Sequence, residues 1–219
     1  ESIWEINYKD DNAARSWGSP MTTGGTVYPR FISPKDWVDG TDDVLNGWGY
    51  EPVRQETYDR YDAADTRRDA TCYNAKAKGT YTPRFPANNA DQKADADLNF
   101  NNNLRIYRYS ECLLNASELL VRTSGSADQA STYLNLVRKR AGLTTTVEPT
   151  IDNIINERHL EFAGEGKRYW DLIRTGKASS TLVPDKYGYR TNTWTESKKY
   201  LPIPQSEIDS DPNLKQNNY

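Results

Sequence analysis

Apolar positions recur at helical spacing along the second half of the chain and hardly at all along the first. From Leu104 to Arg122, Ile106, Tyr109, Leu113, Ala116 and Leu120 stand three and four apart, which predicts one stripe of a helix turning about 100° per residue. Ser110, Ala116 and Ser117 lie in or beside that stripe and are small enough to let a second helix approach closely. Thr123-Ser124-Gly125 ends the element, and Ser126-Ala127-Asp128-Gln129 has the spacing of an N-terminal capping box. Ala130, Tyr133, Leu134, Val137 and Ala141 then form the apolar face of a second helix, with Gly142 placed for a left-handed closing residue. The pair is a helical hairpin of roughly tetratricopeptide dimensions, and the chain holds no clear second copy of it.

Pro149 precedes a third predicted helix, Ile151 to Ala163, whose face is Ile151, Ile154, Ile155 and Phe162 with Arg158 in its middle. A guanidinium on an apolar face must be paired, because isolated burial of charge costs several kcal/mol. Glu161, three residues on, is the expected structural partner. Gly164 and Gly166 break this helix, and Lys167 to Arg174 adds a short one, with Asp171 three residues from both Arg168 and Arg174.

The first 103 residues are rich in Gly, Pro, Asn and Asp. A short strand is expected at Ser2–Tyr8 and a short helix at Gln55–Tyr61; Lys76–Phe100 is polar, with a flexible insert expected around Ala87–Asp97. The division is therefore a loop-rich part, 1–103, and a helical part, 104–219.

Composition removes several classes of function. A net charge of −3 argues against nucleic acid as a partner. No apolar run approaches the ~18 residues of a membrane-spanning helix, and the opening Glu1–Tyr8 stretch has neither the basic nor the apolar region of a targeting signal. With Cys72 and Cys112 as the only cysteines, a disulfide scaffold and a four-cysteine zinc site are excluded; one bridge between them stays open, with Cys112 expected to be a buried helix residue. The aromatic complement is 6 Trp and 15 Tyr against 4 Phe. Such rings suit surfaces that are apolar on one side and wet on the other.

Three long motifs stand out. They are Ile154-Ile155-Asn156-Glu157-Arg158-His159-Leu160-Glu161-Phe162 followed by Gly166-Lys167-Arg168-Tyr169-Trp170-Asp171-Leu172-Ile173-Arg174-Thr175-Gly176; the closing Tyr200-Leu201-Pro202-Ile203-Pro204-Gln205-Ser206-Glu207-Ile208 with Asp211-Pro212-Asn213-Leu214-Lys215-Gln216-Asn217; and the helix pair from Arg108 to Leu143. Together they resemble the SusD/RagB family of nutrient-binding proteins, and Glu1-Ser2-Ile3-Trp4-Glu5-Ile6 and Gly47-Trp48-Gly49-Tyr50 resemble further waypoints of it.

The resemblance implies a mainly α fold of tetratricopeptide-like hairpins with long irregular loops and little β-sheet. It also implies a non-catalytic outer-membrane lipoprotein that captures an oligosaccharide or peptide for a SusC-like TonB-dependent transporter, without cofactor or metal. Family members run to roughly twice this length, so the chain reads as a C-terminal half. Its expected partner is the N-terminal half of the same protein, carrying signal peptide, lipid anchor and most of the helices. Without that half, the Ile106–Leu120 stripe should be left as an exposed apolar patch.

A sugar ligand asks for flat aromatic faces and a few polar groups, and loops carry such sites more often than helices. The loop-borne candidates are Trp17, Tyr28, Arg30, Trp37, Asp39 and Trp48, with Trp194 beyond them; Trp170 is expected in the core. Two other readings compete. One is an interaction module that contacts the transporter without binding nutrient. The other is a glycoside hydrolase using Glu157, Glu161 and Glu165, since such enzymes hold two carboxylates about 5–10 Å apart. Acids at this spacing on one helix more commonly mark a solvated or ion-paired face. His159, the only histidine, reads as a half-exposed helix residue, and Asp209–Asn213 as a turn rather than a calcium loop.

Overall fold

A computed structural model of the chain describes residues 1–9, 24–32, 47–50, 53–77, 80–84, 94–96, 99–185 and 190–218. They fall into two compact units, Glu1–Glu165 and Gly166–Tyr219. The first unit runs β1 (Ser2–Ile6), α1 (Tyr28–Ile32), α2 (Gln55–Asp59), α3 (Thr66–Thr71), β2 (Tyr73–Ala77), β3 (Thr80–Arg84), β4 (Ala94–Ala96), β5 (Asn99–Phe100), β6 (Leu104–Arg108), α4 (Tyr109–Arg122), α5 (Ala127–Arg140) and α6 (Ile151–Glu161). The mainly α architecture with long irregular connections is the one expected. Among the described residues the strands form three antiparallel pairs, β1–β6, β2–β3 and β4–β5.

The helical hairpin forms as the spacing predicts. Ser126 Oγ accepts from Gln129 N–H at 3.2 Å, capping α5. Gly142 closes the helix at φ +84°, where an added Cβ would meet Thr66 and the Ala64 carbonyl at 3.2 and 3.3 Å. α6 is capped by Thr150, whose Oγ1 accepts from Asn153 N–H. Leu114, Leu134, Val137, Ile154 and Phe162 join α4, α5 and α6 in one core, and Leu160 carries α6 into a second with Val53, Tyr61 and Cys72.

Three expectations for the first unit need correction. The helix starts at Tyr109, not Leu104, because residues 104–108 pair with β1 (Ile6 opposite Leu104, Trp4 opposite Tyr107), and that ladder overrides helical periodicity. The inward face of α4 is consequently Ser110, Glu111, Leu114, Ser117 and Glu118. Ser117 and Glu118 are met there: Ser117 Oγ donates to the Ala130 carbonyl at 2.8 Å, and Glu118 Oε1 accepts from Arg122 Nε at 2.8 Å. Of the predicted stripe, Tyr109 is 57% exposed, while Ile106, Leu113, Ala116 and Leu120 are half-buried and Leu113 packs against the core. Both cysteines are free, and Cys72, not Cys112, is the buried one.

The third correction concerns Arg158. It is buried where the periodicity puts it, but its Nη1 donates to Asn115 Oδ1 at 2.7 Å and its Nη2 stands 3.5 Å from Glu111 Oε1. Glu161 is taken by other elements: Arg67 Nη1 of α3 and Arg108 Nη1 of β6, each at 2.9 Å, and Arg140 of α5. Glu157 meets Arg67 at 2.7 Å and Arg138 at 3.2 Å. Arg67 is anchored in turn on Asp65 through Nε and Nη2 at 2.9 and 2.6 Å. Arg108 also grips Glu165 at 2.7 and 3.1 Å, and the Arg108 and Arg158 guanidinium groups both stand over the Phe162 ring, 5.1 Å from its centroid. Both interior carboxylates are thus met by arginines from other elements, and tertiary partners replace the i+3 neighbour.

The second unit contains α7 (Arg168–Arg174), α8 (Ala178–Thr181), a 3₁₀ turn (Glu196–Lys199) and α9 (Gln205–Ser210). Leu172, Ala178, Leu182 and Trp194 form its core, with Tyr169 and Ile173 against it. Since Tyr169, Leu172 and Ile173 occupy the inward face of α7, Trp170 falls outside it at 52% exposed, contrary to its expected core position. Trp194 is instead 7% exposed, its Nε1 donating to the Tyr169 hydroxyl at 3.2 Å. The expected i,i+3 pair forms between Asp171 Oδ1 and Arg174 Nη2 at 2.6 Å. The closing motif is stitched to itself: the Gln216 amide exchanges two hydrogen bonds with the Ile203 backbone, both 2.9 Å.

Burial alone would raise the Glu161 carboxyl, but Arg108 and Arg140 reverse this and hold it below the usual carboxylate range. Its stabilisation is therefore complete at neutral pH and is lost as pH falls from the unfolded value near 4.3 through the lower folded value. Glu161→Ala should cost about 3–5 kcal/mol by leaving guanidinium groups without their carboxylate, read as a fall of roughly 10 °C in the thermal midpoint. Below about pH 4.3 the midpoint of Glu161→Gln should fall less steeply than that of wild type. Burial pushes the Cys72 thiol up to about 12, so under native conditions at pH 8 iodoacetamide should modify Cys112 well before Cys72, as followed by peptide mass spectrometry.

Candidate functional site

The loop-rich part contributes one locally built aromatic surface among the described residues. Thr26 is bridged to the buried Phe100 by backbone hydrogen bonds in both directions, at 2.7 and 2.9 Å, and this anchors the chain entering α1. Pro29 is buried beneath that helix, which leaves Tyr28 exposed and Arg30 and Phe31 half-buried. Residues 47–50 then clip onto α1: Trp48 N–H donates to the Arg30 carbonyl at 2.9 Å and Tyr50 N–H to the Phe31 carbonyl at 3.0 Å. Gly49 between them sits at φ +65°, a conformation that glycine adopts without penalty and that lets both flanking N–H groups reach the same helix end.

Three rings meet on this clip. Phe31 and Trp48 are edge-on at 5.0 Å, Phe31 and Tyr50 tilted at 5.4 Å, and Trp48 and Tyr50 edge-on at 6.0 Å. Trp48 is half-buried while Tyr50 is exposed. The Tyr28 hydroxyl lies 3.4 Å from the Gly164 carbonyl, just past the end of α6. Of the residues singled out from the sequence, Tyr28, Arg30 and Trp48 thus fall on one element and its clip, while Trp17, Trp37 and Asp39 lie outside the described residues. Phe31 and Tyr50 were missed. Phe31 stands one helical turn from Tyr28, and Tyr50 stands two residues from Trp48 across a glycine; both spacings could have flagged them.

The carboxylates weighed for glycoside hydrolysis are otherwise engaged. Glu157 and Glu161 are about 1% exposed at the side chain and met by arginines, and Glu165 is held by Arg108. That is the geometry of an ion-paired interior, not of an acid and a base facing across a bond. His159 Nε2 lies 3.0 Å from Thr57 Oγ1, tying α6 to α2. Asp211 Oδ1 accepts from Asn213 N–H at 2.9 Å, the turn expected there. Among the described residues no three His, Cys, Asp or Glu side chains are grouped to hold a metal ion, and no helix is long and apolar enough to cross a membrane.

Comparison with known proteins follows the same lines. The sequence model of the SusD family matches residues 63–219. SusD-like protein P2 of Formosa agariphila is 26% identical over 212 residues, covering 82% of this chain and 42% of that protein. Surface glycan-binding protein A from Bacteroides thetaiotaomicron, solved in complex with laminarihexaose, is 61% identical, with TM-score 0.84 over 100% of this chain and 52% of that one. A laminarin-binding SusD-like protein is 28% identical, with TM-score 0.77 over 99% of this chain and 49% of that one. The chain thus spans about half the length of these relatives. Motifs, fold and comparisons agree: the chain belongs to the SusD family.

Proposed function

We propose that this chain is part of a non-catalytic protein of the bacterial cell surface that captures a laminarin-type β-1,3-glucan and delivers it to a SusC-like TonB-dependent transporter. The observation that carries the ligand is the 61% identity, over the whole chain, to a surface glycan-binding protein solved with laminarihexaose. The aromatic clip on α1 supports it physically, because flat rings beside an arginine match the C–H faces and hydroxyls of a sugar.

In this reading, residues 1–103 face the ligand, and 104–219 form the scaffold. The ligand surface comprises Trp17, Tyr28, Arg30, Trp37, Asp39 and Trp48. The other half of the protein, bearing the lipid anchor at the outer membrane, covers the Ile106–Leu120 stripe. The arginine-bound state of Glu157, Glu161 and Glu165 supports capture without hydrolysis.

Isothermal titration of the purified protein with laminarihexaose, maltohexaose and cellohexaose should show saturable binding to laminarihexaose and at least tenfold weaker binding to the others. Chromatography of the recovered sugar should show it uncleaved. Trp17→Ala or Trp37→Ala should weaken laminarihexaose binding. Equal affinity for all three sugars would remove the β-1,3 assignment, and binding to none, with co-purification of a transporter barrel, would favour a pure interaction module.

A further inference from the structure

Resting on the glucan reading, we infer that Tyr50 joins that surface as a ligand-stacking residue, held in position by Phe31 and by the inner edge of Trp48. Tyr50 is 65% exposed although it belongs to a packed three-ring cluster. The cluster grips the ring on its inner side, and the outer side is left in water. A ring packed against two others on one side and open on the other offers its free face to a sugar without rearrangement of its neighbours.

The holding is done at two levels. The backbone N–H of Tyr50 is tied to the Phe31 carbonyl at 3.0 Å, and left-handed Gly49 sets the direction in which the residue leaves the clip. The ring then rests against Phe31 at 5.4 Å and Trp48 at 6.0 Å, which restricts its two side-chain torsions before any ligand arrives. A ring already immobilised loses little freedom on binding, so its contact with a sugar face appears almost wholly as affinity. Trp48 differs. Its ring is half-buried, with one edge contact to Phe31 and another to Tyr50, so beside its own place on the surface it supports the Tyr50 ring.

The chemistry suits a glucan better than a peptide. The faces of β-linked glucose are lined with axial C–H groups that lie flat on an aromatic ring, and no specific hydrogen bond from the tyrosine hydroxyl is required. Stacking therefore predicts that phenylalanine can stand in for Tyr50 and that an aliphatic residue of similar bulk cannot.

Laminarihexaose titrations of Tyr50→Phe, Tyr50→Leu and Tyr50→Ala, with thermal melting of each, test this. Tyr50→Phe should bind within twofold of wild type, and Tyr50→Leu and Tyr50→Ala about tenfold more weakly. Tyr50→Leu keeps apolar bulk against Phe31 and Trp48, so it decides the matter if Tyr50→Ala melts early. Wild-type affinity in Tyr50→Leu overturns the inference alone, as does a Tyr50→Phe protein as weak as Tyr50→Ala. A wild-type protein that ignores laminarihexaose overturns the glucan reading and this inference together.

Discussion

Glu157 and Glu161 lie in the interior of the first unit, and charges there are tolerable only because guanidinium groups converge on them from other parts of the chain. That requirement orders the unit. Arg67 brings α3, Arg108 brings β6, and Arg138 and Arg140 bring the end of α5 to one turn of α6. Each contributor is separated from α6 by a different length of chain, so the cluster ties distant segments to one helix. Dispersion supplies the bulk of the core through Leu114, Leu134, Ile154 and Phe162, whereas the ion pairs select which packing of those residues is allowed. Phe162 connects the two, packed in the apolar core with the Arg108 and Arg158 guanidinium groups over its ring.

What was readable in the sequence follows from how local each determinant is. The α5 cap at Ser126, the left-handed Gly142 and the Asp171–Arg174 pair are decided within a few residues, and each forms as read. The family motifs were legible for the same reason, being contiguous. The start of α4 was misread because Leu104–Arg108 meets β1 across some hundred residues, a partnership no window around it reveals. Arg158 was rightly placed inside but given the wrong carboxylate: need for a partner is local, and choice of partner is tertiary. Trp170 and Trp194 exchanged roles because the inward face of α7 is set by three neighbours that leave Trp170 no room.

The aromatic clip proposed to meet ligand is held differently from the helical core. It rests on backbone hydrogen bonds from residues 47–50 to α1 and on a bridge from Thr26 to Phe100, with aromatic rings filling the junctions. Tyr28, Arg30 and Trp48 were singled out from residue type and loop context, and the structure brings them onto one short helix and its clip. Tyr50 drew no separate notice because the motif containing it also serves the turn.

The claim underneath all of this is a division of labour between a charge-locked helical scaffold and a ligand-bearing aromatic clip. Hydrogen exchange of the purified protein, read by mass spectrometry with and without laminarihexaose, tests it most directly. The account predicts that amides of α4, α5 and α6 are the slowest to exchange and are unchanged by sugar, while peptides spanning 24–32 and 47–50 gain protection. Protection gained along α6, with none at 24–32 or 47–50, would contradict it.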